Sequence, residues 1–458
     1  MGLWAQDNTL VTHPITMVEW TEDLYPNATN IQPHEPPEDY RQGGLHPVAL
    51  GDTFQDGRFV VRHKLGFGGQ ATVWLVQDTQ HSQWASLKIK QSRISEGPLE
   101  QDQEIQALQA LEKYYASSDQ KAPRCFTRLL TTFRVCGPNG THNCLVTELV
   151  GPSVAKVLRA CSLFGETLRP DTVLRASKRV LQGVDFAHHA GIAHGDVSFG
   201  NVAFTCDVAL NGEEDIFVAL GGQPMTSTYN GRETLPPNMP RMLVKTADWD
   251  MWTDRDEEDI RLLDWGLAFP VTHAVTTLPQ PIDLRSPETF FCASIDFRHD
   301  LWRAGCVIYV LYFQQSPFPF QHGTDREFIG KLVEKLGALP PQWNLMWEEM
   351  EGPSVDHQLN GRTRSAFSQS TPKLTQLLLC SGHDSEEKEA FEERRKAIVT
   401  ECQKGDEYEA DEYSDYDFES LQLLSPAISA LLKWEPERRV SAQQALSLLG
   451  WVDYRNET

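Results

Sequence analysis

The sequence has no apolar run long enough to cross a bilayer. Its best candidate, Val307 to Phe313, is short and follows Arg303. Met1 to Leu10 lacks a basic segment leading into an apolar one, so no secretory signal is readable. Gly2 follows Met1, but Gln6 stands where a myristoylation signal needs Ser or Thr. The nine cysteines include no CxxC pair, and their number is odd. That argues against a zinc site or a disulfide framework and for reduced thiols in the cytoplasm or nucleus. The Asn27-Ala28-Thr29 sequon then carries no weight. Positive charge is scarce: 41 Lys and Arg stand against 64 Asp and Glu, a net charge of −23. Nucleic acid is a poor direct partner for such a surface. A basic partner fits better, although acidity also serves solubility alone.

What is present reads as globular protein, with 40% apolar and 23% charged residues over 458 positions. Residues 1–45 look like an extension without a core of its own, and Ile31 to Tyr40 is polar and Pro-rich. Strand patterning starts near Gly57, where RFVVRHKL, ATVWLVQD and WASLKIKQ are separated by turn residues. A helix is expected from about Pro98 to Tyr115, with Ile105, Leu108 and Leu111 as its stripe and Glu104 beside it. Apolar runs at Cys125–Val135 and Asn143–Val150 complete a β-rich lobe over 46–150. From 151 to 458 the character is mainly helical. Thr172 to Ala190 has helical spacing and a stop at Gly191, Leu301 to Phe313 reads as a buried helix, and further helices are expected at Leu421–Leu432 and Ala442–Leu449. Two inserts interrupt this part. One, about 205–259, holds a possible short helix (DIFVALGG) and a Pro, Asn and Gly-rich run. The other, about 348–420, ends in GDEYEADEYSDYDFES.

The chemistry lies in a set of short motifs. Leu65, Gly66, Phe67, Gly68, Gly69, Gln70, Ala71, Thr72 and Val73 form a Gly-rich turn between two strands, where missing Cβ atoms let backbone approach phosphates. Alone it is weak, since most such turns are hairpins. Lys88, inside the apolar strand ASLKI, needs a partner or an exposed head, and Glu104 is the natural anion. His194-Gly195-Asp196 comes after a helix stop. Asp196 can accept or orient a hydroxyl proton, and Asn201 can offer an amide oxygen to a metal. Ile260 to Leu263 then runs into Asp264-Trp265-Gly266, a carboxylate at a strand end that suits magnesium. Further along the chain come Ser286-Pro287-Glu288, Asp300-Leu301-Trp302 and Arg439. Each piece could be an ordinary turn or surface charge. Their order and setting together match the protein-kinase signature.

Residues 38–75, with Tyr40, Gly43, Gly44, His46, Pro47, Gly51 and Asp52 ahead of the Gly-rich turn, resemble the SR-protein kinase family. The text LGGQP…NGRETLPPNMPRMLV resembles inserts of its divergent fungal members. The resemblance runs from about residue 38 to the end. It implies an α+β, two-lobed kinase fold and an intracellular, monomeric enzyme. That enzyme would move the γ-phosphate of ATP, with Mg2+, onto Ser or Thr of Arg/Ser-rich proteins. By the same resemblance Leu65–Val73 would cover ATP, and Lys88 and Glu104 would form an ion pair. Glu148 and Val150, after Thr147, would meet adenine with backbone groups. Asp196 would be the base, and Asn201 and Asp264 the metal ligands. Glu288 and Arg439 would pair, and Asp300 would brace the catalytic loop. Asp415, Asp417 and Glu419 would be candidates for docking arginines.

Four positions depart from the wider kinase pattern: Ala71, Trp265, Gly195 and Ser198. The first two are mild. Gly195 stands where many kinases carry an arginine that grips an activation-loop phosphate, which implies activity without that phosphate. Ser198 stands where a lysine stabilises the transferring phosphoryl group, and losing such a contact costs about 3 kcal/mol, roughly a hundredfold in rate. HGDxxxxN without that lysine also resembles small-molecule kinases. A nucleotide-binding pseudokinase and a metabolite phosphotransferase are thus the alternatives to a protein kinase.

Overall fold

The computed structural model describes residues 17–118, 123–164, 168–206, 212–232, 234–250, 252, 258–320, 322–350 and 423–449. The chain clusters into two units. One comprises residues 1–99, 130–149 and 212–248; the other comprises 100–129, 150–211 and 249–458.

The first unit is built on a six-stranded sheet. Its strands are β1 (Thr53–Phe54), β2 (Phe59–Gly68), β3 (Ala71–Asp78), β4 (Gln83–Lys90), β5 (Leu129–Gly137) and β6 (Gly140–Glu148), in the order β1-β2-β3-β4-β6-β5. Alternation sets its faces. Ala85, Leu87 and Ile89 of β4 are fully buried with Trp74, Val76, Phe59 and Val146, whereas Ser86 and Lys88 alternate with them and are half-buried. Each large apolar side chain buried in this way contributes about 1.5–3 kcal/mol.

A second core lies in the same unit. Tyr25, Ala28, Ile31, Tyr40 and Leu45 pack with Met239 and Leu243, so the N-terminal extension shares a core with the first insert. The Pro, Asn and Gly-rich run of that insert contains a strand pair not expected from its composition, Thr226–Thr228 with Met242–Val244. The DIFVALGG segment is helical over Glu213–Ala219.

The second unit carries three helices that matter for the site: α1 (Gln103–Ser117), α2 (Pro170–His189) and α3 (His299–Phe313). The sequence places the start of α1 near Pro98. It starts at Gln103 because the Asp102 side chain caps it, accepting from the backbone N–H of Glu104 and Ile105 at 3.1 and 3.3 Å. Leu99–Gln101 is a separate 3-10 turn. Helix α2 opens on Pro170 and is followed by Gly191 at φ 83°. Its Gly183 lets it lie against the strand Ile260–Leu262, since a Cβ there would sit 2.9 Å from a Leu262 methyl. Helix α3 is buried on all faces. Two small antiparallel pairs, Ile192–Ala193 with Phe269–Pro270 and Val202–Phe204 with Ile260–Leu262, frame the loop 194–201. Towards the C-terminus the described helices are Ser425–Leu431 and Ala442–Leu448. No described helix is long and apolar enough to cross a membrane.

Candidate functional site

The sequence-derived residues divide between the two units. In the first, the Gly-rich turn is the tip of the β2–β3 hairpin, with Gly66 opposite Val73, Phe67 opposite Thr72 and Gly68 opposite Ala71. Gly69 and Gln70 make the turn, and Leu65 is half-buried at its base. Gly66, Gly68 and Gly69 have no protein atom within 4 Å of the place a Cβ would take, and none needs a left-handed backbone. Internal packing therefore does not demand glycine at these three positions, and close approach of an external group explains them better. Lys88 pairs with Val73 on one side and Leu145 on the other, on the sheet face opposite the Trp74 core. Glu148 closes β6 opposite Ala85 and Thr147 pairs with Ser86, both half-buried.

In the second unit the loop after α2 is held from several sides. Asp300, at the start of α3, accepts from the backbone N–H of His194 at 2.7 Å and of Gly195 at 2.9 Å, and contacts His188 at 3.0 Å. Burial alone would raise the Asp300 pKa. The His188 hydrogen bond and the nearby His194 and His299 rings outweigh it and bring it to about 2. His194 takes one tautomer: Nε2–H donates to Leu263 O at 2.9 Å, and Nδ1 accepts from the Asp196 N–H at 3.2 Å. Its ring lies 4.4 Å from that of Trp265. Gly195 sits at φ +78°, and a Cβ there would fall 2.4 Å from Leu267 O. A side chain at this position is thus excluded by both backbone and space.

Asp196 is gripped at both carboxylate oxygens. Asn201 Nδ2 donates to Oδ2 at 2.8 Å and to Asp196 O at 2.9 Å, while Arg303 Nη2 donates to Oδ1 at 2.7 Å. Burial pushes the Asp196 carboxyl above its usual range, aided by the charge of Asp264 and opposed by Arg303, His194 and Asn201. The Asn201 amide spends its N–H groups on Asp196, which leaves its oxygen to accept. Asp264 comes after the strand Ile260–Leu262, in the left-handed region at φ 58°. Its Oδ1 lies 3.2 Å from where a Cβ on Gly266 would be, and Glu104 Oε2 lies 3.8 Å from that same point. Helix α1 thus brings the buried Glu104 beside the Asp264 turn. Among the described residues no cluster of three or more His, Cys, Asp or Glu could hold a metal ion. An Asp and an Asn oxygen instead suit magnesium, which takes few protein ligands and fills its shell with water and phosphate.

Val150 is half-buried, and the next residue, Gly151, donates its N–H to Phe204 O at 2.8 Å. Ser198 is half-buried, and its carbonyl accepts from Asn201 N at 2.9 Å. Arg439 and Glu288 form a buried two-pronged pair at 2.8 and 2.5 Å. Burial opposes the Glu288 charge, but Arg439 overcomes it and holds the carboxyl below its usual range. Asp415, Asp417 and Glu419 lie outside the described residues.

Sequence reasoning missed Arg303. The available signal was an arginine inside a helix read as buried, which needs an anion nearby.

No family model matches the chain. Several curated proteins similar to this chain are kinases. A serine/threonine protein kinase of Aspergillus fumigatus is 23% identical over 450 residues, spanning 95% of this chain and 94% of that protein. The chain is therefore a homologue of serine/threonine protein kinases. The serine/threonine-protein kinase SRPK of Physarum polycephalum is 26% identical over 66% of this chain and 72% of its own length. Human SRSF protein kinase 3 is 34% identical over 178 residues, 38% of this chain and 30% of that protein. More particularly, the chain is similar to SR-protein kinases over part of its length, and the match spans under a third of the human one.

Proposed function

We propose that this chain is a two-lobed protein kinase that transfers the γ-phosphate of ATP to a serine or threonine hydroxyl, on proteins rich in Arg and Ser. The observation that carries the reading is the loop 194–201. Its one carboxylate is fixed at both oxygens by Asn201 and Arg303, the Asn201 amide keeps its oxygen to accept, and the charge of Asp264 acts on the same carboxylate. Magnesium, when bound, would neutralise phosphate charge. Asn201 and Asp264 would hold it. Asp196 accepts the hydroxyl proton and orients the nucleophile. Lys88, with Glu104 as its partner, positions the α and β phosphates, and the hairpin Leu65–Val73 covers them. Backbone groups of Glu148 and Val150 meet adenine. The net charge of −23 supports a basic substrate over nucleic acid. We place the enzyme in the cytoplasm or nucleus, as a monomer.

The test is turnover on a panel of Arg-Ser peptides, read together with thermal shift by ATP in magnesium or EDTA. Wild type should phosphorylate peptide, and ATP should stabilise it more with magnesium. Lys88→Met and Asp196→Asn should each lose turnover by at least about a hundredfold. A magnesium-dependent shift without any turnover would point to a pseudokinase. Turnover on small hydroxyl compounds alone would point to a metabolite phosphotransferase.

A further inference from the structure

Helix α3 presents two charged side chains three residues apart, and both reach the loop 194–201. Asp300 binds the backbone ahead of Asp196. Arg303 binds Asp196 itself and the next residue: its Nη2 donates to Asp196 Oδ1 at 2.7 Å and its Nε to Val197 O at 2.6 Å. A third, longer contact runs from Nη1 to Leu284 O at 3.4 Å. The Arg303 side chain has no exposed surface, while that of Asp196 keeps 26% of its own. A guanidinium removed from water is costly unless its hydrogen bonds and a counter-charge are supplied. Here the principal counter-charge is the proposed base itself. The planar fork also fixes direction, because two of its N–H groups point at two atoms of adjacent residues.

We propose that Arg303 is a positioning residue for phosphoryl transfer, setting the orientation of Asp196 through a buried fork to its carboxylate and to the carbonyl of Val197. The inference rests on the kinase reading above. It assigns α3 a second grip on the loop besides Asp300. It also assigns to a buried side chain a cation at a loop where Gly195 admits no side chain and Ser198 carries no charge.

The experiment measures kcat and KM for ATP in the full chain for wild type, Arg303→Met and Arg303→Lys, and for Arg303→Met added to Asp196→Asn. In Arg303→Met, kcat should fall on the order of tenfold to a hundredfold, the cost of misplacing a reacting group slightly. KM for ATP should stay within about twofold, since uniform binding is untouched. Arg303→Lys keeps the charge without the fork and should recover part of the loss. On the Asp196→Asn background Arg303→Met should cost nothing further in turnover. Wild-type kcat in both single variants overturns the inference, and so does a joint loss of kcat and ATP binding, which marks a general packing role. If Arg303→Met does not fold, Arg303→Lys decides alone: a lower kcat at unchanged KM supports the inference, and any other result overturns it. A wild type without turnover ends the kinase reading itself, whereas an active wild type with indifferent variants ends only the role of Arg303.

Discussion

Lys64 in the first unit and Arg303 in the second are both fully buried cations, and their ion pairs are closed off to different degrees. In the first, Lys64 of β2 meets Glu35 of the N-terminal extension at 2.6 Å, with side-chain exposures of 0% and 1%. Tyr40 donates to the same carboxylate, and the ammonium lies 4.6 Å from the Trp74 ring centroid. Burial pulls the Lys64 pKa down, and Glu35 opposes that pull. Nothing there is left open for a substrate. In the second, Arg303 is equally buried but its anion is a quarter exposed. Both pairs bear a desolvation cost. A pair sealed at both ends is a staple, here tying the extension to the sheet. A pair open at its carboxylate holds a group whose other lone pairs remain usable.

That contrast can be broken by experiment. The largest effect is expected in the sealed pair. Lys64→Met or Glu35→Gln should each lower unfolding free energy by about 3–5 kcal/mol, because one charge stays buried alone. Lys64→Met with Glu35→Leu should recover much of this. Denaturant titrations of the three variants check it, and a double variant as unstable as the singles would sink the staple account.

Next comes acid. Burial lowers the pKa of His46 in the first unit to about 4, with the neighbouring His142 adding to the effect, and burial likewise brings His299 in the second to about 4. Both are depressed below the unfolded value of about 6.5, so the stability they contribute is complete above that pH. It is lost as pH falls towards 4, by roughly 2–3 kcal/mol for each histidine. Melting temperature should therefore drop across pH 6.5 to 4, and His46→Gln should flatten the slope. An unaltered slope would show that His46 does not drive it.

The smallest effect is expected at the open pair. Asp196→Asn keeps the shape and an acceptor oxygen but leaves the Arg303 charge without its principal anion. It should cost about 1–3 kcal/mol, less than the sealed pair, because water reaches the carboxylate side. This makes Asp196→Asn an imperfect catalytic control unless its folded fraction is measured by calorimetry. A loss as large as that of Lys64→Met would erase the distinction between the two pairs.

Much of this architecture was legible from local pattern. The β-branched and aromatic runs ATVWLVQD and WASLKIKQ, separated by turn residues, marked β3 and β4, a 3.6-residue stripe and Gly191 marked α2, and the Gly-rich turn fell on a hairpin tip. The start of α1 was misplaced because a side-chain cap at Asp102 outranks the apolar stripe as a start signal. The strands within the first insert were not legible, since Thr226–Thr228 is too short to show a period and its partner lies beyond a loop.

Sequence alone determined most of the elements and the reactive residue types, because periodicity and turn chemistry act over a few positions. It also pointed to Lys88 as the costly strand lysine, whereas Lys64 is the fully buried one. Only the tertiary structure decided which charges meet. Glu35 and Lys64 are 29 residues apart, and Asp196 and Arg303 are 107 apart. An ion pair forms where the folded path brings donor and acceptor within about 3 Å, and no local pattern encodes that distance. The same holds for Gly195, whose missing side chain reads as a lost contact in sequence and as an excluded volume against the Leu267 carbonyl in space.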